Sequence, residues 1–117
     1  MTKHSELMHA NLLEVFGERD PEKRAAAVAR VYTSDVVFLD PEEVVTGQDA
    51  LNAKAQSILD GAPGFVFTPS GEVHENNDLA YLAWGFGPEG QPPVVTGLDI
   101  GFIVDDRIAK VYTFLTS

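Results

Sequence analysis

The segment that most constrains the fold is VVTGLDIGFIV, residues 94–104, which is almost entirely apolar and yet carries one aspartate, Asp99. Its β-branched and aromatic residues favour a strand, and eleven extended residues span about 36 Å. A strand of this length has to bend within a domain of ordinary size. Gly97 and Gly101 lie two residues to either side of Asp99, and glycine makes bends and bulges easiest. The segment therefore predicts a curved sheet.

The phase of this strand decides what Asp99 faces. Side chains alternate between the two faces of a strand, so Asp99 shares its face with both glycines and with Ile103. The glycines leave room beside the carboxylate that the strand itself cannot fill. An ionised carboxylate is costly to bury without partners, so a solvated edge strand is one interpretation. Because the neighbouring strands are rich in aromatic residues, a concave pocket with Asp99 in its wall is the interpretation we prefer.

The remaining elements follow from periodicity and capping residues. Asp20 and Pro21 form a good helix start, and Gly47 precedes another helix. Helical spacing predicts three helices, in segments 4–16, 20–32 and 47–60. Extended patterns predict strands 36–40, 44–46, 65–75, 79–87, 94–104 and 108–117. Because Pro69 and Gly71 interrupt the third, it is either one long strand or two short ones. The order ααββαββββ is that of a single α+β domain, residues 1–117, with a curved antiparallel β-sheet and helices on one face.

Composition limits the partners of this domain. The net charge of −10, from 8 basic and 18 acidic residues, opposes binding to nucleic acid and to anionic membrane surfaces. The absence of cysteine excludes disulfides and zinc–thiolate sites, and no residues have metal-ligand spacing. No secretory signal or membrane span is evident. We expect a cytoplasmic protein that binds a small apolar or weakly polar ligand, without a cofactor or a metal.

A second aspartate, Asp40, ends the short strand VVFLDP. Asp-Pro commonly initiates turns, so a structural role is one interpretation of Asp40. The other is that Asp40 and Asp99, one early and one late, converge on one cavity. Paired carboxylates in different environments are how proteins separate an acid from a base near neutral pH.

The chain resembles a known family at these positions. The segments VYTSDVVFLDPEEVVTG, WGFGPEG, VVTGLDIGFIV and DRIAKVYTFL resemble the SnoaL-like (polyketide cyclase) and ketosteroid-isomerase branches of the nuclear transport factor two-like superfamily. The resemblance covers nearly the whole chain and implies a cone of curved sheet closed by three helices. It implies that Asp40 matches the general base of the isomerase, and Asp99 the protonated aspartate of its oxyanion hole. In SnoaL-like cyclases the late-strand aspartate is the acid/base, which also matches Asp99.

Some positions depart from these relatives. Leu12 and Ala55 stand where the isomerase has tyrosines, whereas Tyr32 falls where some isomerases carry a supporting tyrosine. Losing one oxyanion donor typically lowers the rate a hundredfold or more, so steroid isomerisation by the same mechanism is not expected. Gly97 occupies the place of an arginine that epoxide-hydrolase relatives need, which disfavours epoxide hydrolysis.

The resemblance and the strand phases together predict the site. Asp40 would move the proton, and Asp99, kept neutral by apolar surroundings, would donate a hydrogen bond to the developing oxyanion of a carbonyl substrate. Isomerase, aldol-type cyclase and dehydratase reactions fit this pair. The expected ligand-binding residues are Tyr32, Trp84, Val111 and Thr113. The alternatives are a non-catalytic ligand-binding module and a dimerisation module of the same fold.

The opposite face of the sheet predicts an assembly. Its apolar residues exceed what a monomer usually exposes, and they are Leu98, Ile100, Phe102, Tyr112 and Phe114. We therefore expect a homodimer with two-fold symmetry that packs through this face. His74, near the end of its strand, is expected to be a surface residue rather than a catalytic one.

Overall fold

The computed structural model describes all residues, 1–117. The first helix runs as α-helix α1, Lys3–Ala10, and continues as a π-helical segment, Asn11–Phe16. Helices α2 and α3 are Pro21–Val31 and Gln48–Asp60. The strands are β1 Tyr32–Leu39, β2 Val44–Thr46, β3 Phe65–Asn76, β4 Leu79–Pro88, β5 Val95–Val104 and β6 Arg107–Leu115. The element order expected from the sequence is confirmed. None of the helices has the length and apolarity that crossing a membrane would require.

The helix starts are fixed by local chemistry. The carboxylate of Asp20 accepts hydrogen bonds from the backbone nitrogens of Glu22 and Lys23, at 2.9 and 3.4 Å, and Pro21 is the first residue of α2. These contacts satisfy N–H groups that have no partner within the helix. Gly47 precedes α3 with a φ of +93°, a backbone conformation that side chains other than glycine rarely adopt.

All six strands form one sheet in the order β2-β1-β6-β5-β4-β3. Most neighbouring pairs are antiparallel, but β1 and β6 run parallel, with Val37 opposite Lys110 and Leu39 opposite Tyr112. The sheet is therefore mixed rather than wholly antiparallel. The parallel pair is possible because the chain between the two strands is long enough to cross over. The sheet curves without closing into a barrel, and the helices cover its concave face.

Two irregularities bend the longer strands. β3 is a single strand whose register against β4 shifts between Ser70 and His74, where Gly71 has a φ of +87°. The pairing of β5 with β6 shifts between Phe102 and Ile103. Such bulges increase local twist and curvature. The curved sheet and the helices enclose a core of 21 buried apolar residues.

Gly101 shows how closely the first helix packs on this sheet. A Cβ atom at Gly101 would lie 2.7 Å from the sulfur of Met8, closer than Cβ atoms approach other heavy atoms in real structures. Met8 is completely buried. The room that Gly101 leaves on the inner face of β5 is therefore filled by a side chain of α1.

Candidate functional site

A cavity of about 170 Å³ lies between the concave face of the sheet and the first and third helices. Most of its wall is apolar, and its aromatic residues are Phe16, Phe38, Phe67, Trp84 and Phe86. The ring of Phe67 stacks on Phe86 with centroids 4.0 Å apart and meets Trp84 edge-on at 5.3 Å. Its polar side chains are Asp40, Glu42, Lys54, Asp99 and Thr113. Such a pocket, apolar with a few convergent polar groups, is typical of a small-molecule site.

Asp99 points inward from the middle of β5 and is only 6% exposed. Its Oδ1 accepts hydrogen bonds from Nε1 of Trp84 at 3.0 Å and from Oγ1 of Thr113 at 2.7 Å. Its Oδ2 accepts one from Nδ2 of Asn11 at 3.0 Å. The three donors come from β4, β6 and the first helix. The buried carboxylate is therefore held by groups on two neighbouring strands and one helix.

Gly97 explains how the indole reaches this carboxylate. Gly97 is directly opposite Trp84 in the pairing of β4 with β5. A Cβ atom at Gly97 would lie 2.2 Å from Cζ2 of the indole, a distance that no side chain could tolerate. The indole therefore lies across the bare backbone of β5 and donates to Asp99 two residues further along. The glycines that flank Asp99 make room for Trp84 on one side and for Met8 on the other.

Asn11 belongs to the site although the sequence argument did not single it out. It is completely buried and lies at the start of the π-helical segment, a feature found frequently at functional sites. The hydroxyl of Tyr32 donates to Oδ1 of Asn11 at 2.5 Å, which turns the amide nitrogen toward Asp99. The signal in the sequence is that Asn11 lies three residues after Met8 and four before Val15, so that a polar residue interrupts an apolar helical stripe.

The surroundings of Asp99 set its titration. Burial raises the pKa of this carboxyl to about 6, against the hydrogen bonds from Thr113, Trp84 and Asn11, which lower it. All three neighbours act as donors, an arrangement that suits the ionised form. Oδ1 already accepts two hydrogen bonds, whereas Oδ2 accepts one and keeps one acceptor position free. Burial, reinforced by the negative charge of Asp99, raises the pKa of Tyr32 well above its usual value, so Tyr32 remains a donor.

Asp40 has different surroundings. It accepts hydrogen bonds from the backbone nitrogens of Glu42 and Glu43, each at 2.9 Å, and so caps the turn that follows β1. Its Oδ2 also lies 3.0 Å from Nζ of Lys54. Burial alone would raise the pKa of Asp40, but the hydrogen bond from Lys54 and those from the turn outweigh it, and the pKa is lowered. Asp40 is thus a turn-capping residue and also a member of the cavity wall.

Lys54 is the second residue that the sequence argument did not single out. Its Nζ also lies 3.2 Å from Oε1 of Glu43, and its side chain is 10% exposed. Burial would lower the pKa of Lys54, but the hydrogen bonds to Asp40 and Glu43 raise it, so the ammonium stays charged. Lys54 lies three residues after Leu51 and four before Ile58, again within an apolar helical stripe. No three His, Cys, Asp or Glu side chains are grouped so as to hold a metal ion.

The structure brings four of the six expected site residues to the cavity: Asp40, Asp99, Trp84 and Thr113. Tyr32 is completely buried and reaches Asp99 only through Asn11. Val111 is completely buried outside the cavity wall, which differs from its expected contact with a ligand. It pairs with Gly101, over which Met8 packs, so α1 covers this part of the sheet. His74 lies outside the cavity, where its ring stacks on Tyr81 at 4.8 Å.

Comparison with known proteins places this architecture in a family. The model of the SnoaL-like domain matches residues 10–111. Among curated proteins, no sequence matches the chain. Solved structures share the fold closely. A protein from Agrobacterium tumefaciens str. C58, provisionally named an isomerase of the SnoaL-like family, has a TM-score of 0.92 at 23% identity, with both chains fully covered.

Two further structures carry different names on the same fold. A provisionally named ketosteroid isomerase from Kribbella flavida DSM 17836 has a TM-score of 0.71 at 18% identity, covering 98% of this chain and 78% of its own. A provisionally named SnoaL-like polyketide cyclase from Jannaschia sp. CCS1 has a TM-score of 0.78 at 12% identity, covering 97% and 85%. Such identities show a common fold and leave the reaction open. Because the SnoaL-like domain model matches most of its length, the chain belongs to the SnoaL-like family.

Proposed function

We propose that this chain is an enzyme that moves a proton on a small carbonyl compound, with Asp99 as the acid/base. The observation that carries the proposal is a buried carboxylate in the wall of an apolar cavity with one acceptor position of Oδ2 unused. Isomerase, aldol-type cyclase and dehydratase reactions all begin with this proton transfer. The names of several structural relatives, isomerase and polyketide cyclase, are consistent with it.

The environments of the two aspartates favour Asp99 rather than Asp40 as the base. Asp40 is held by an ammonium and two backbone N–H groups, and its lowered pKa makes it a weak base. Asp99 has a pKa of about 6, close to the pH at which a general base works best. This differs from the roles expected from the sequence for the pair, in which Asp40 was the base and Asp99 the neutral donor.

The chemical step is a balanced proton transfer. Oδ2 of Asp99 takes a proton from the carbon next to the carbonyl, and the electron pair of the broken C–H bond forms a C=C bond. The π-electrons of the carbonyl move to oxygen, which gives an enolate. Where a C=C bond adjoins that carbon, as in a β,γ-unsaturated ketone, the enolate extends over it as a dienolate, and return of the proton from Asp99 to the γ-carbon moves the double bond and completes an isomerisation. A positioned general base typically contributes about 10²- to 10⁴-fold to such a step.

The size of the cavity limits the substrate. An engineered apolar cavity of roughly 150 Å³ holds one benzene ring, and the cavity described above has about 170 Å³. A single six-membered ring with small substituents therefore fits inside. Further rings of a larger ligand would have to lie outside the enclosed volume.

The test is hydrogen exchange at the carbon next to the carbonyl, followed by nuclear magnetic resonance in heavy water with a panel of cyclic ketones and enones. The wild type should accelerate exchange. Asp99→Asn should lower the rate at saturation by a hundredfold or more while the dissociation constant changes less than about tenfold. His74→Asn, on the other face of the sheet, is the control and should leave the rate unchanged. Exchange that survives in Asp99→Asn would refute the assignment.

A second candidate function is ligand binding without turnover. Leu12 and Ala55, in place of the isomerase tyrosines, favour it, since Leu12 adds only apolar surface to the cavity. Tight binding of the panel by the wild type, with no exchange at any pH, would support this function over the enzymatic one.

We further propose that the protein is a homodimer joined through the sheet face that turns away from the helices. On this face Tyr81, Ile100 and Tyr112 lie side by side on β4, β5 and β6. Tyr81, Tyr112 and Phe114 are 42%, 39% and 50% exposed, more aromatic surface than a monomer usually presents to water. A two-fold contact would bury this row against its own copy.

A further inference from the structure

The cavity contains few groups that could hold the oxygen of a substrate. Only three side chains in its wall carry an N–H or O–H donor: Lys54, Trp84 and Thr113. Trp84 and Thr113 both donate their hydrogen to Asp99. An enolate formed in this cavity needs a donor at its oxygen, because developing negative charge in an apolar site is otherwise strongly disfavoured.

Lys54 has a donor to spare. A lysine ammonium carries three N–H groups, and here Asp40 and Glu43 accept two of them, at 3.0 and 3.2 Å. No other side chain or backbone group of the protein accepts the third. The two carboxylates come from the end of β1 and the turn after it, and Lys54 itself lines the cavity.

We infer that Lys54 donates its remaining N–H to the carbonyl oxygen of the substrate and stabilises the charge that develops there, with Asp40 and Glu43 holding the ammonium in place. The inference rests on the proposed proton transfer and assigns the group that stabilises the negative oxygen of the enolate. As Oδ2 of Asp99 takes the proton from carbon, the electron pair arrives at the oxygen bound to Lys54. Hydrogen bonds from a charged donor are roughly twice as strong as neutral ones.

The charges around Lys54 also define the substrate class. One ammonium and two carboxylates leave this cluster with an excess of negative charge, and Glu42 and Asp99 add more in the same wall. A carboxylate or phosphate of a ligand that lies against these carboxylates would be repelled, whereas a single negative oxygen held by the third N–H of Lys54 would not. The substrate is therefore a neutral carbonyl compound of about one ring, whose oxygen becomes negative only during the reaction.

The probe for this inference is 4-nitrophenolate, which places a negative oxygen on a single ring and changes its absorbance on ionisation. Lys54→Met, which keeps the length of the side chain, should bind the phenolate at least tenfold more weakly than the wild type. Lys54→Arg, which keeps charge and donors, should retain most of the affinity. Nitrobenzene, the same ring without the oxygen, is the matched ligand and should bind the three proteins equally.

Several outcomes would overturn the inference. Equal phenolate binding by wild type and Lys54→Met would do so, as would a wild type that does not bind the phenolate at all. A parallel loss of nitrobenzene affinity would show that Lys54 only maintains the shape of the cavity. Because phenolate binding involves no turnover, it is independent of the exchange assay. If the wild type catalyses no exchange but still binds the phenolate more tightly than Lys54→Met does, the proposed enzymatic function is refuted, whereas the role of Lys54 in binding a negative oxygen stands.

The anchoring role of Asp40 has its own measurement. At high pH, phenolate binding should weaken as the ammonium loses its proton. Asp40→Asn removes a partner that raises the pKa of Lys54, so this loss should begin at a lower pH than in the wild type. A change that merely loosened the fold would not move the pH profile. An unchanged profile would show that Asp40 does not act through Lys54.

Discussion

Replacing Asp99 with asparagine should change how the stability of the protein depends on pH. The pKa of this carboxyl is raised from 3.8 to about 6 in the folded chain, so the folded state holds the proton more tightly than the unfolded state. Below pH 3.8 both states are protonated and the ionisation has no effect. Between the two values the unfolded chain ionises first, and stability falls as pH rises, by about 1.36 kcal/mol per pH unit.

The magnitude follows from the separation of the two pKa values. Above about pH 6 both states are ionised, and the loss stays constant at roughly 3 kcal/mol. Asp99→Asn has no such loss. Its amide oxygen can still accept from Trp84 and Thr113, and its NH₂ group can donate to Asn11 once that amide reverses. The contributions of these local changes to the free energy of unfolding do not depend on pH, so they cancel when two pH values are compared.

The assay is urea unfolding followed by far-ultraviolet circular dichroism. Between about pH 4 and about pH 7.5, the free energy of unfolding of Asp99→Asn relative to the wild type should rise by roughly 2 to 3 kcal/mol. Asp40→Asn is the matched control with the opposite sign. Because the pKa of Asp40 is lowered, its ionised form stabilises the fold, and the variant's deficit should disappear as pH falls through the acidic range. A difference for Asp99→Asn that is constant or falls with pH would refute the argument.

Three further changes test the packing around the carboxylate and the opposite face of the sheet. Gly97→Ala should destabilise the fold by about 2 kcal/mol or more, because the new Cβ would lie 2.2 Å from the indole of Trp84. Gly61→Ala is the control: its Cβ would make ordinary contacts only, so stability should change by less than about 0.5 kcal/mol. Equal losses of the two variants in urea unfolding would contradict this prediction. Trp84→Phe removes a hydrogen bond that lowers the pKa of Asp99, so the fall in stability with rising pH should continue to a higher pH than in the wild type. If the pH range of this fall does not change, the hydrogen bond does not influence the pKa of Asp99. Ile100→Asp should convert the proposed dimer into a folded monomer, as measured by analytical ultracentrifugation. A wild type that is itself monomeric at micromolar concentration would refute the proposed dimer.

Local sequence patterns were sufficient for most of the fold. The helices follow from apolar spacing and from caps such as Asp20, and the succession of strands along the chain follows from alternating residues between turns. The parallel pairing of β1 with β6 had no such signal, because Tyr32 and Ile108 are brought together by the whole intervening chain. Register between distant strands depends on packing, which a local pattern does not encode.

The site was predictable where strand phase alone decides. Alternation places Asp99 and Trp84 on the inner face, as observed. Asn11 and Lys54 required a different observation, a polar residue inside an apolar helical stripe, and the partners that satisfy them come from distant elements. Val111 has the expected phase, but its distance from the cavity depends on how deeply α1 packs into the sheet.

The chain contains a single tryptophan, and its indole N–H is bonded to the carboxylate on which the proposed chemistry depends. The site therefore carries its own spectroscopic label. In a proton–nitrogen correlation spectrum of the intact protein, one indole resonance should report the ionisation of Asp99, and its shift with pH gives that titration without any substitution. A ligand that enters the cavity should shift the same resonance and change the intrinsic fluorescence, so mixtures of candidate substrates can be screened on the unmodified protein before any reaction is known.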